Sequence, residues 1–460
     1  MRHNLILDTD SYKASHWKQY PPRTTGMYSY FESRGGRWGD TVFFGLQYLL
    51  KEYLSKQVTM DDVSEAASFF LAHGEPFNVE GWTALVGKPL PLLIKAVPEG
   101  MVVPTHNILM SVESTDLNHF WLVSWVETML VRLWYPTTVA TQSFYIKKII
   151  LEALEESAND PKGELPFKLH DFGGRGVSSR ESCGIGGMAH LVNFQGSDSV
   201  EGVRFANHYY GVKGGMAAFS IPAAEHSTIT MWGRSREVEA YRNMIRQFGG
   251  KDKLVACVSD SYDIYNAVEN IWGDELRDEV KELGGTLVIR PDSGNPPEVV
   301  LKCLQILERK VGMEKNLRGY KVLPSYFRLI QGDGVNEDSI REILTVMLAN
   351  GYSASNIAFG CGGALLQRLD RDTQKFAFKC SAATVNGKEI PVYKQPITDT
   401  GKESKKGRLA LVLANGKLTT RETPDGPASD DLLETVFQNG LIRRFTTLDE
   451  VRARSERSLA

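Results

Sequence analysis

Polar and charged residues recur at the ends of short apolar segments between about residues 165 and 380. Seven such ends carry acids, arginines, a histidine or clustered glycines: His170–Arg175, Gly196–Asp198, His226, Ser259–Asp263, Arg290–Gly294, Gly332–Gly334 and Gly360–Gly363. One acidic residue in such a place can simply cap the next helix. Seven in succession indicate a catalytic or binding site, because the loops at the carboxyl ends of parallel barrel strands share one rim.

Two glycine clusters, Gly332–Gly334 and Gly360–Gly363, follow the last two of these apolar segments. Glycine lets backbone N–H groups approach an anion closely, and a helix that begins there adds favourable partial charge. The late loops of α/β barrels often hold phosphate. The clusters therefore predict a phosphate-binding site, with ordinary tight turns as the alternative.

One histidine and four distant cations could serve the same phosphorylated ligand. His226 follows one predicted strand, and the acids Asp260 and Asp263 follow the next. His226 could therefore be a base or a phosphoryl acceptor that a carboxylate orients. A lone histidine can equally be structural. Four basic residues would clamp a polyanion with their charges, although each alone is more often a solvated surface residue: Arg34, Arg371, Lys379 and Lys394.

The elements that must position these residues alternate regularly. Strand-like segments are FKLHD, HLVNF, FSIP, LVACVSD, TLVIRPD, YFRLIQGD and NIAFG. One helix is predicted from Pro296, with an apolar stripe that starts at Val300, and another over Ile340–Leu348 that ends at Gly351. This alternation predicts a parallel sheet covered by helices, and seven units favour an irregular α/β barrel over an open doubly wound sheet.

The barrel is predicted over residues 161–379, and the flanking residues have a different pattern. Residues 1–160 mix strand-like segments with long helical stretches, and residues 380–425 resemble antiparallel strands with a hairpin across Asn415-Gly416. We expect residues 1–160 and 380–460 to form one second, sandwich-like α+β domain from both chain ends.

Composition excludes several classes of protein. A formal net charge of −3 over 460 residues argues against a nucleic-acid-binding scaffold. The start MRHNLILDTD lacks the apolar run of a signal peptide, and residues 119–136 carry Glu127 and Arg132, which favours a buried helix over a membrane span. Five scattered cysteines without CxxC spacing predict neither a disulfide framework nor a zinc site and fit a reducing, cytoplasmic location.

Nine longer segments follow one another along nearly the whole chain: DTDSYKASHWKQYPP (8–22), HDFGGRGVSS (170–179), SIPAAEHSTIT (220–230), VSDSYDIYNA (258–267), IRPDSGNP (289–296), IQGDGV (330–335), AFGCGGALLQ (358–367), FKCS (378–381) and SKKGRL (404–409). In these segments the sequence resembles the nicotinamide phosphoribosyltransferases, which are type II phosphoribosyltransferases. The resemblance implies a homodimeric pentosyltransferase that joins nicotinamide to 5-phosphoribosyl-1-diphosphate with the help of Mg²⁺, in NAD salvage.

The resemblance also implies the site residues. Phe172 stacks on one face of the pyridine ring and Tyr12 of the partner subunit on the other, Asp198 accepts a hydrogen bond from the carboxamide, and Arg290 faces the ring. Nine residues contact the phosphoribosyl and diphosphate groups, with Arg34, Lys379 and Lys394 reaching across the dimer interface: Arg34, Arg175, Gly332, Asp333, Gly362, Gly363, Arg371, Lys379 and Lys394.

The remaining implied roles concern metal and ATP. Asp292 lies near the ribose hydroxyls and Mg²⁺, and His226 matches a histidine that ATP phosphorylates, with Asp263 as its carboxylate partner. Two residues depart from the family pattern: Gly174 replaces an aromatic residue and is expected to widen the mouth of the ring slot, and Ala377 replaces a serine near the diphosphate.

Chemistry on this site needs no general base, because the ring nitrogen of nicotinamide is already a neutral nucleophile; catalysis must help diphosphate leave. Asp198 is expected to favour nicotinamide over nicotinate by repelling a carboxylate. Three alternatives stay open: a nicotinate phosphoribosyltransferase, a barrel that binds or signals without catalysis, and a glycosidase-type barrel.

Overall fold

The computed structural model describes residues 3–398, 403–424 and 426–459. Its strands, in chain order, are β1 Thr24–Ser33, β2 Asp40–Val42, β3 Leu92–Ala96, β4 Val102–Pro104, β5 Ile108–Ser114, β6 Leu169–Asp171, β7 Gly196–Ser197, β8 Leu254–Val258, β9 Thr286–Arg290, β10 Glu314–Lys315, β11 Lys321–Val322, β12 Phe327–Gln331, β13 Ile357–Cys361, β14 Phe376–Val385, β15 Lys388–Pro391, β16 Leu409–Ala414, β17 Lys417–Glu422, β18 Glu434–Gln438 and β19 Leu441–Ile442.

The α-helices are α1 Leu46–Leu49, α2 Met60–His73, α3 Val79–Thr83, α4 Leu122–Trp125, α5 Glu127–Val131, α6 Trp134–Ser157, α7 Pro161–Glu164, α8 Arg180–His190, α9 Val200–Tyr209, α10 His226–Thr230, α11 Glu237–Phe248, α12 Ile264–Asn266, α13 Arg277–Glu282, α14 Pro296–Val311, α15 Glu337–Ala349, α16 Gly363–Leu366 and α17 Leu448–Glu456. Shorter 3₁₀ turns include Ser11–Lys18, Gly173–Arg175 and Arg371–Thr373, and Leu50–Leu54 and Ala267–Glu275 are π-helical.

A parallel sheet in the order β7-β6-β13-β12-β9-β8 forms the barrel wall. An extended segment joins its two edges: Phe219 bridges Gly196, and Ala223 bridges Ala256, both in parallel. The N–H of Ala256 also donates to the carbonyl of Pro222 at 2.9 Å. Because single bridges replace a full strand at this seam, the wall closes irregularly. The predicted irregular α/β barrel is confirmed.

One predicted barrel strand is wrong. In HLVNF, His190 is the last residue of α8, and the chain then turns before it reaches β7. Leu191 and Val192 lie in the turn after α8 and are fully buried, like Met188 in the last part of the helix, so this apolar run packs the end of a helix rather than a strand. The strand that follows is only two residues long.

The two predicted barrel helices are present with the expected ends. Asn295 caps α14 by accepting a hydrogen bond of 3.3 Å from the N–H of Glu298, and Pro296 is its first residue. α15 ends at Ala349, and Gly351 then adopts a left-handed conformation with φ of +76°. α14 packs against β12 and α15, and both helices have buried apolar faces.

Strands from both ends of the chain pair in one antiparallel sheet, in the order β15-β14-β1-β5-β3-β18-β19. The predicted hairpin is present as β16 and β17, with Asn415 and Gly416 at φ of +51° and +74°, the two left-handed positions of a tight hairpin turn. The long helix α6 packs against α8 and α15 of the barrel. The domain boundaries at residues 160 and 380 stay a prediction.

The apolar segment 119–136 is not one buried helix. It contains the short helices α4 and α5 and then enters α6, with Glu127 receiving the buried Lys13 ammonium at 2.8 Å. Across the part of the chain that the structure describes, no helix combines the length and the apolar character that crossing a membrane requires.

Candidate active site

A cavity of about 600 Å³ lies inside the barrel. Its middle is lined by inward-facing strand residues, which are small or aliphatic: Ala256, Val288, Ile330 and Ala358. The same cavity is lined by Phe172 and Asp198, which follow β6 and β7, and by Arg290, the last residue of β9. The structure thus brings the three predicted ring-site residues of one chain into one cavity.

Two contacts hold Phe172 in the lining of the cavity. Its N–H donates to the carbonyl of Cys361 at 2.9 Å, which extends the pairing of β6 with β13. Its ring lies over Gly360, where a Cβ would come within 2.7 Å of the ring Cζ and closer still to two other ring atoms. The sequence singled out Gly360 for phosphate, whereas here its missing side chain makes room for an aromatic ring.

Asp198 follows β7 and is exposed toward the cavity. The hydroxyl of Ser220 donates to its Oδ1, and its own N–H donates to the carbonyl of Asp171 at 3.0 Å. Ser220 also lines the cavity and was not singled out from the sequence, because it lies in the seam segment that joins the sheet edges. The carboxylate is therefore oriented and retains acceptor capacity for an amide.

Asp171 lies directly behind this acceptor. Its side chain is fully buried and accepts a hydrogen bond of 2.7 Å from the N–H of Gly173, in the turn that follows Phe172. Burial, with repulsion from Asp198 in addition, raises the pKa of the Asp171 carboxyl to about 6. The residue connects the loop that carries Phe172 with the loop that carries Asp198.

Arg290 and Asp292 form a pair at the end of β9, with 3.5 Å between Nη2 and Oδ2. Arg290 Nε is buried and has no hydrogen-bond partner among the described residues. Burial raises the pKa of the Asp292 carboxyl, and Arg290 counteracts this effect. Repulsion from Asp260 and Asp333 raises the pKa further, which indicates that three carboxylates share this rim.

These carboxylates are candidate ligands for the Mg²⁺ ion that the family resemblance implies. Among residues 3–398, 403–424 and 426–459, no three His, Cys, Asp or Glu side chains are grouped to enclose a metal ion. Mg²⁺ typically uses one or two carboxylates together with substrate phosphates. Asp292 and the exposed Asp333 match that requirement and could share the ion with a diphosphate.

His226 begins α10 and is about half exposed, with 47% of its side chain accessible. Its Nε2 lies 2.9 Å from Oδ1 of Asp260, whose side chain is only 5% exposed. The predicted pairing with Asp263 is wrong. Asp263 instead caps α12, where its Oδ1 accepts from the N–H groups of Tyr265 and Asn266, both at 3.0 Å. Only one of the two acids in this loop can face α10, because the other is needed at the helix start.

The glycine loops meet the Arg175 turn. A Cβ on Gly176 would lie 3.0 Å from the Cα of Gly363, so the two backbones are in close contact. A Cβ on Gly362 would meet nothing nearer than 3.9 Å, and Gly363 nothing nearer than 4.0 Å, which leaves their backbone accessible. Arg175 is exposed beside them. This arrangement suits an anion held by backbone N–H groups and an arginine.

The space beside Gly332 is narrower than that beside Gly362 and Gly363. A Cβ there would lie 2.9 Å from Oδ1 of Asp292 and 3.7 Å from Cε2 of Phe172. Gly174, in contrast, does not line the cavity: its Cβ position faces Ser199 Oγ at 3.1 Å and Cys183 Sγ at 3.3 Å. The expectation that Gly174 widens the mouth of the ring slot is therefore wrong.

The predicted polyanion clamp forms a second cluster beside the antiparallel sheet, in which only Lys379 lies within a strand, β14. Burial lowers the pKa of Lys379, and repulsion from Arg34, Lys394 and Arg371 lowers it further, so the four cations lie near one another. Arg34 pairs with Glu32 at 2.8 Å. None of these residues lines the barrel cavity of the same chain.

Tyr12 lies apart from Phe172 as well. Its side chain is 58% exposed, and its ring packs edge-on against His16, with 4.9 Å between ring centroids. It does not line the cavity of its own chain. Stacking of Tyr12 on a partner's ligand, and the reach of the clamp across an interface, stay predictions.

Comparisons with known proteins agree on one family. A model of the nicotinate phosphoribosyltransferase (NAPRTase) family matches residues 167–441, and a model of the nicotinamide phosphoribosyltransferase N-terminal domain matches residues 4–93. A nicotinamide phosphoribosyltransferase of Xanthomonas campestris is 54% identical, over 98% of this chain and 98% of that protein. Another from Acinetobacter baylyi is 30% identical, over 100% of this chain and 98% of that protein.

Solved structures share the fold at low identity. Nicotinate-nucleotide pyrophosphorylase from Pyrococcus furiosus superposes with a TM-score of 0.60 at 15% identity, covering 100% of this chain and 97% of that one. Human nicotinic acid phosphoribosyltransferase superposes with a TM-score of 0.57 at 16% identity, covering 98% and 93%. At this identity the similarity establishes the architecture, including the second sheet domain.

Proposed function

Because this chain belongs to the nicotinamide phosphoribosyltransferases, within the wider nicotinate phosphoribosyltransferase family, we propose that it makes nicotinamide mononucleotide and diphosphate from nicotinamide and 5-phosphoribosyl-1-diphosphate. This reaction is a step of NAD biosynthesis. The observation that carries the proposal is the convergence of Phe172, Asp198 and Arg290 on one barrel cavity. The cavity is large enough for a flat heteroaromatic amide.

The proposed reaction exchanges one bond for another at the sugar. The pyridine nitrogen lone pair of nicotinamide forms the bond to the anomeric carbon, and the bond from that carbon to the diphosphate oxygen breaks with its electron pair. Phe172 would hold the ring in line with the anomeric carbon. Arg175 and the Gly362–Gly363 backbone would hold the sugar phosphate, and Mg²⁺ bound beside Asp292 would neutralise the diphosphate as it leaves.

Asp198 supports nicotinamide as the acceptor. A carboxylate that Ser220 already orients accepts a hydrogen bond from a carboxamide NH₂, whereas it repels the carboxylate of nicotinate. Arg290 favours the second candidate, nicotinate, because its positive charge lines the cavity and could bind a carboxylate. We infer nicotinamide, since Arg290 is already paired with Asp292 at 3.5 Å while nothing cationic pairs with Asp198 among the described residues.

His226 would link the reaction to ATP. Asp260 is a carboxylate and can only accept, so Nε2 of His226 carries the proton and the lone pair is on Nδ1. We propose that Nδ1 attacks the γ-phosphorus of ATP, the bond to the bridging oxygen breaks, and ADP leaves. The phosphohistidine would be hydrolysed during the cycle, coupling ATP use to transfer.

A homodimer would complete the site. The exposed Tyr12 and the four-cation cluster lie away from the cavity of their own chain, which fits residues that act on the neighbouring barrel. We also propose that the enzyme works in the cytoplasm, where its five free cysteines would stay reduced.

Product identification tests the proposal. Purified protein with nicotinamide, 5-phosphoribosyl-1-diphosphate and Mg²⁺ should form nicotinamide mononucleotide and diphosphate in equal amounts. Arg290→Ala provides the matched variant, since it removes one wall of the cavity while Asp198 stays. Absence of a mononucleotide from either pyridine would refute the assignment, and a nicotinate product alone would replace it by the second candidate.

A further inference from the structure

Three barrel loops meet at the side chain of Asp260, which follows β8. Its Oδ1 lies 2.9 Å from Nε2 of His226, the first residue of α10. Its Oδ2 accepts a hydrogen bond of 2.5 Å from the hydroxyl of Ser293. Both oxygens of one nearly buried carboxylate are therefore engaged, each by a residue from a different loop.

Ser293 belongs to the loop that follows β9. It comes directly after Asp292 and three residues after Arg290, the two residues that face substrate in the proposed function. Its hydroxyl is the contact from this loop to the Asp260 carboxylate within the described residues. An unbroken chain of hydrogen bonds thus runs from His226 through Asp260 to the substrate loop.

We propose that Ser293 is the positioning residue that transmits the state of His226 to the Arg290–Asp292 loop. The inference rests on the proposed ATP coupling through His226 and deepens it. Ser293 touches neither the imidazole nor the reacting atoms in this role; it acts through Asp260.

The transmission would depend on added charge at His226 and on the confinement of Asp260. A phosphoryl group on Nδ1 adds a charge of about −1.5 to −2 to the imidazole ring whose Nε2 contacts Asp260. Asp260 is only 5% exposed and has both oxygens bonded, so it cannot turn away without moving the Ser293 hydroxyl or breaking that bond. Because Asp292 is the next residue, a shift of Ser293 changes the position of the carboxylate proposed to stand beside Mg²⁺.

Removal of the Ser293 hydroxyl should separate ATP hydrolysis from its effect on transfer, which the wild-type protein would couple. In Ser293→Ala, His226 keeps its Asp260 partner, so phosphorylation by ATP continues. The loop no longer follows the histidine, so ATP is hydrolysed without its effect on transfer. We expect the ATP-dependent gain in kcat/KM for 5-phosphoribosyl-1-diphosphate to fall about tenfold, which corresponds to about 1.4 kcal/mol. The number of ATP molecules hydrolysed per mononucleotide should rise accordingly.

The experiment compares four full-length proteins: wild type, Ser293→Ala, Ser293→Thr and Ser227→Ala. Thr restores a hydroxyl and should restore the ATP effect. Ser227 also lies on α10, but its hydroxyl donates to Glu225, so its removal is the matched control. ATP hydrolysis and mononucleotide formation are measured in the same reactions. If Ser293→Ala does not fold, Ser293→Cys keeps the side-chain volume with only a weak donor.

Each outcome decides the inference. Uncoupled ATP hydrolysis in Ser293→Ala, with rescue in Ser293→Thr, supports it. An undiminished ATP effect in Ser293→Ala overturns it while the proposed function stands. Loss of ATP hydrolysis itself in that variant also overturns it, because Ser293 would then act in the phosphorylation step. If wild-type protein shows no ATP effect, the coupling role of His226 fails and the inference fails with it.

Discussion

Replacement of Gly360 by alanine tests how the ring slot is built. A Cβ at this position would come within 2.7 Å of Cζ of Phe172, with two further ring atoms still closer. Carbon atoms in contact prefer about 3.5–4.0 Å, so the ring must move by about 1 Å or more. Misplacement of a positioned group by about 1 Å can reduce the rate about 100-fold. We therefore expect kcat/KM for nicotinamide to fall about 100-fold in Gly360→Ala.

The assay is steady-state formation of nicotinamide mononucleotide, with thermal unfolding of the same protein measured in parallel. Gly39→Ala is the matched control, because a Cβ at Gly39 would meet nothing within 4 Å. If the Phe172 ring positions the substrate, the loss of kcat/KM in Gly360→Ala appears with little change in Tm. Wild-type kcat/KM for nicotinamide in a folded Gly360→Ala protein would refute the idea that the Phe172 ring positions the substrate.

Three further predictions follow from the same geometry. Asp198→Asn removes the charge that disfavours nicotinate while it keeps an acceptor, so the preference for nicotinamide should fall about tenfold in kcat/KM ratios; an unchanged ratio would contradict the role of Asp198. His226→Ala should retain transfer without ATP and lose ATP stimulation, and full ATP stimulation in that variant would exclude the phosphohistidine. Burial raises the pKa of Asp171 to about 6, above its value of 3.8 in the unfolded chain, so the folded protein binds the proton more tightly. The free energy of unfolding therefore falls by about 3 kcal/mol as pH rises from about 4 to 6. Asp171→Asn should remove this loss, so the Tm of the variant relative to wild type should rise across that pH range and stay level above it. A difference in Tm that does not change with pH would contradict the raised pKa of Asp171.

The barrel and its rim were predictable from the sequence because apolar strands and their polar ends recur in register. Phe172, Asp198 and Arg290 lie at the carboxyl ends of three of those strands, and the parallel pairing of the strands brings these ends together. The turn across Asn415-Gly416 was equally predictable, since both residues readily adopt positive φ. In both cases the local sequence pattern favours the same backbone conformation that the fold requires.

Other features depend on packing that a sequence pattern does not specify. Asp260 and Asp263 have the same side chain, and only the direction of the loop decides which one meets His226 and which caps α12. The role of Gly360 as a seat for an aromatic ring depends on strand β13 lying beside β6. Ser220 was missed because it belongs to the irregular seam that closes the barrel, where no strand pattern marks it.

The central claim is that the cavity between Phe172, Asp198 and Arg290 selects nicotinamide. A competition reaction with equal concentrations of nicotinamide and nicotinate, limiting enzyme, excess 5-phosphoribosyl-1-diphosphate and Mg²⁺ measures this directly. The ratio of the two mononucleotides at early times equals the ratio of the two kcat/KM values. We expect nicotinamide mononucleotide to exceed nicotinate mononucleotide about tenfold or more, as an acceptor at Asp198 requires. Equal amounts, or an excess of nicotinate mononucleotide, would contradict the claim.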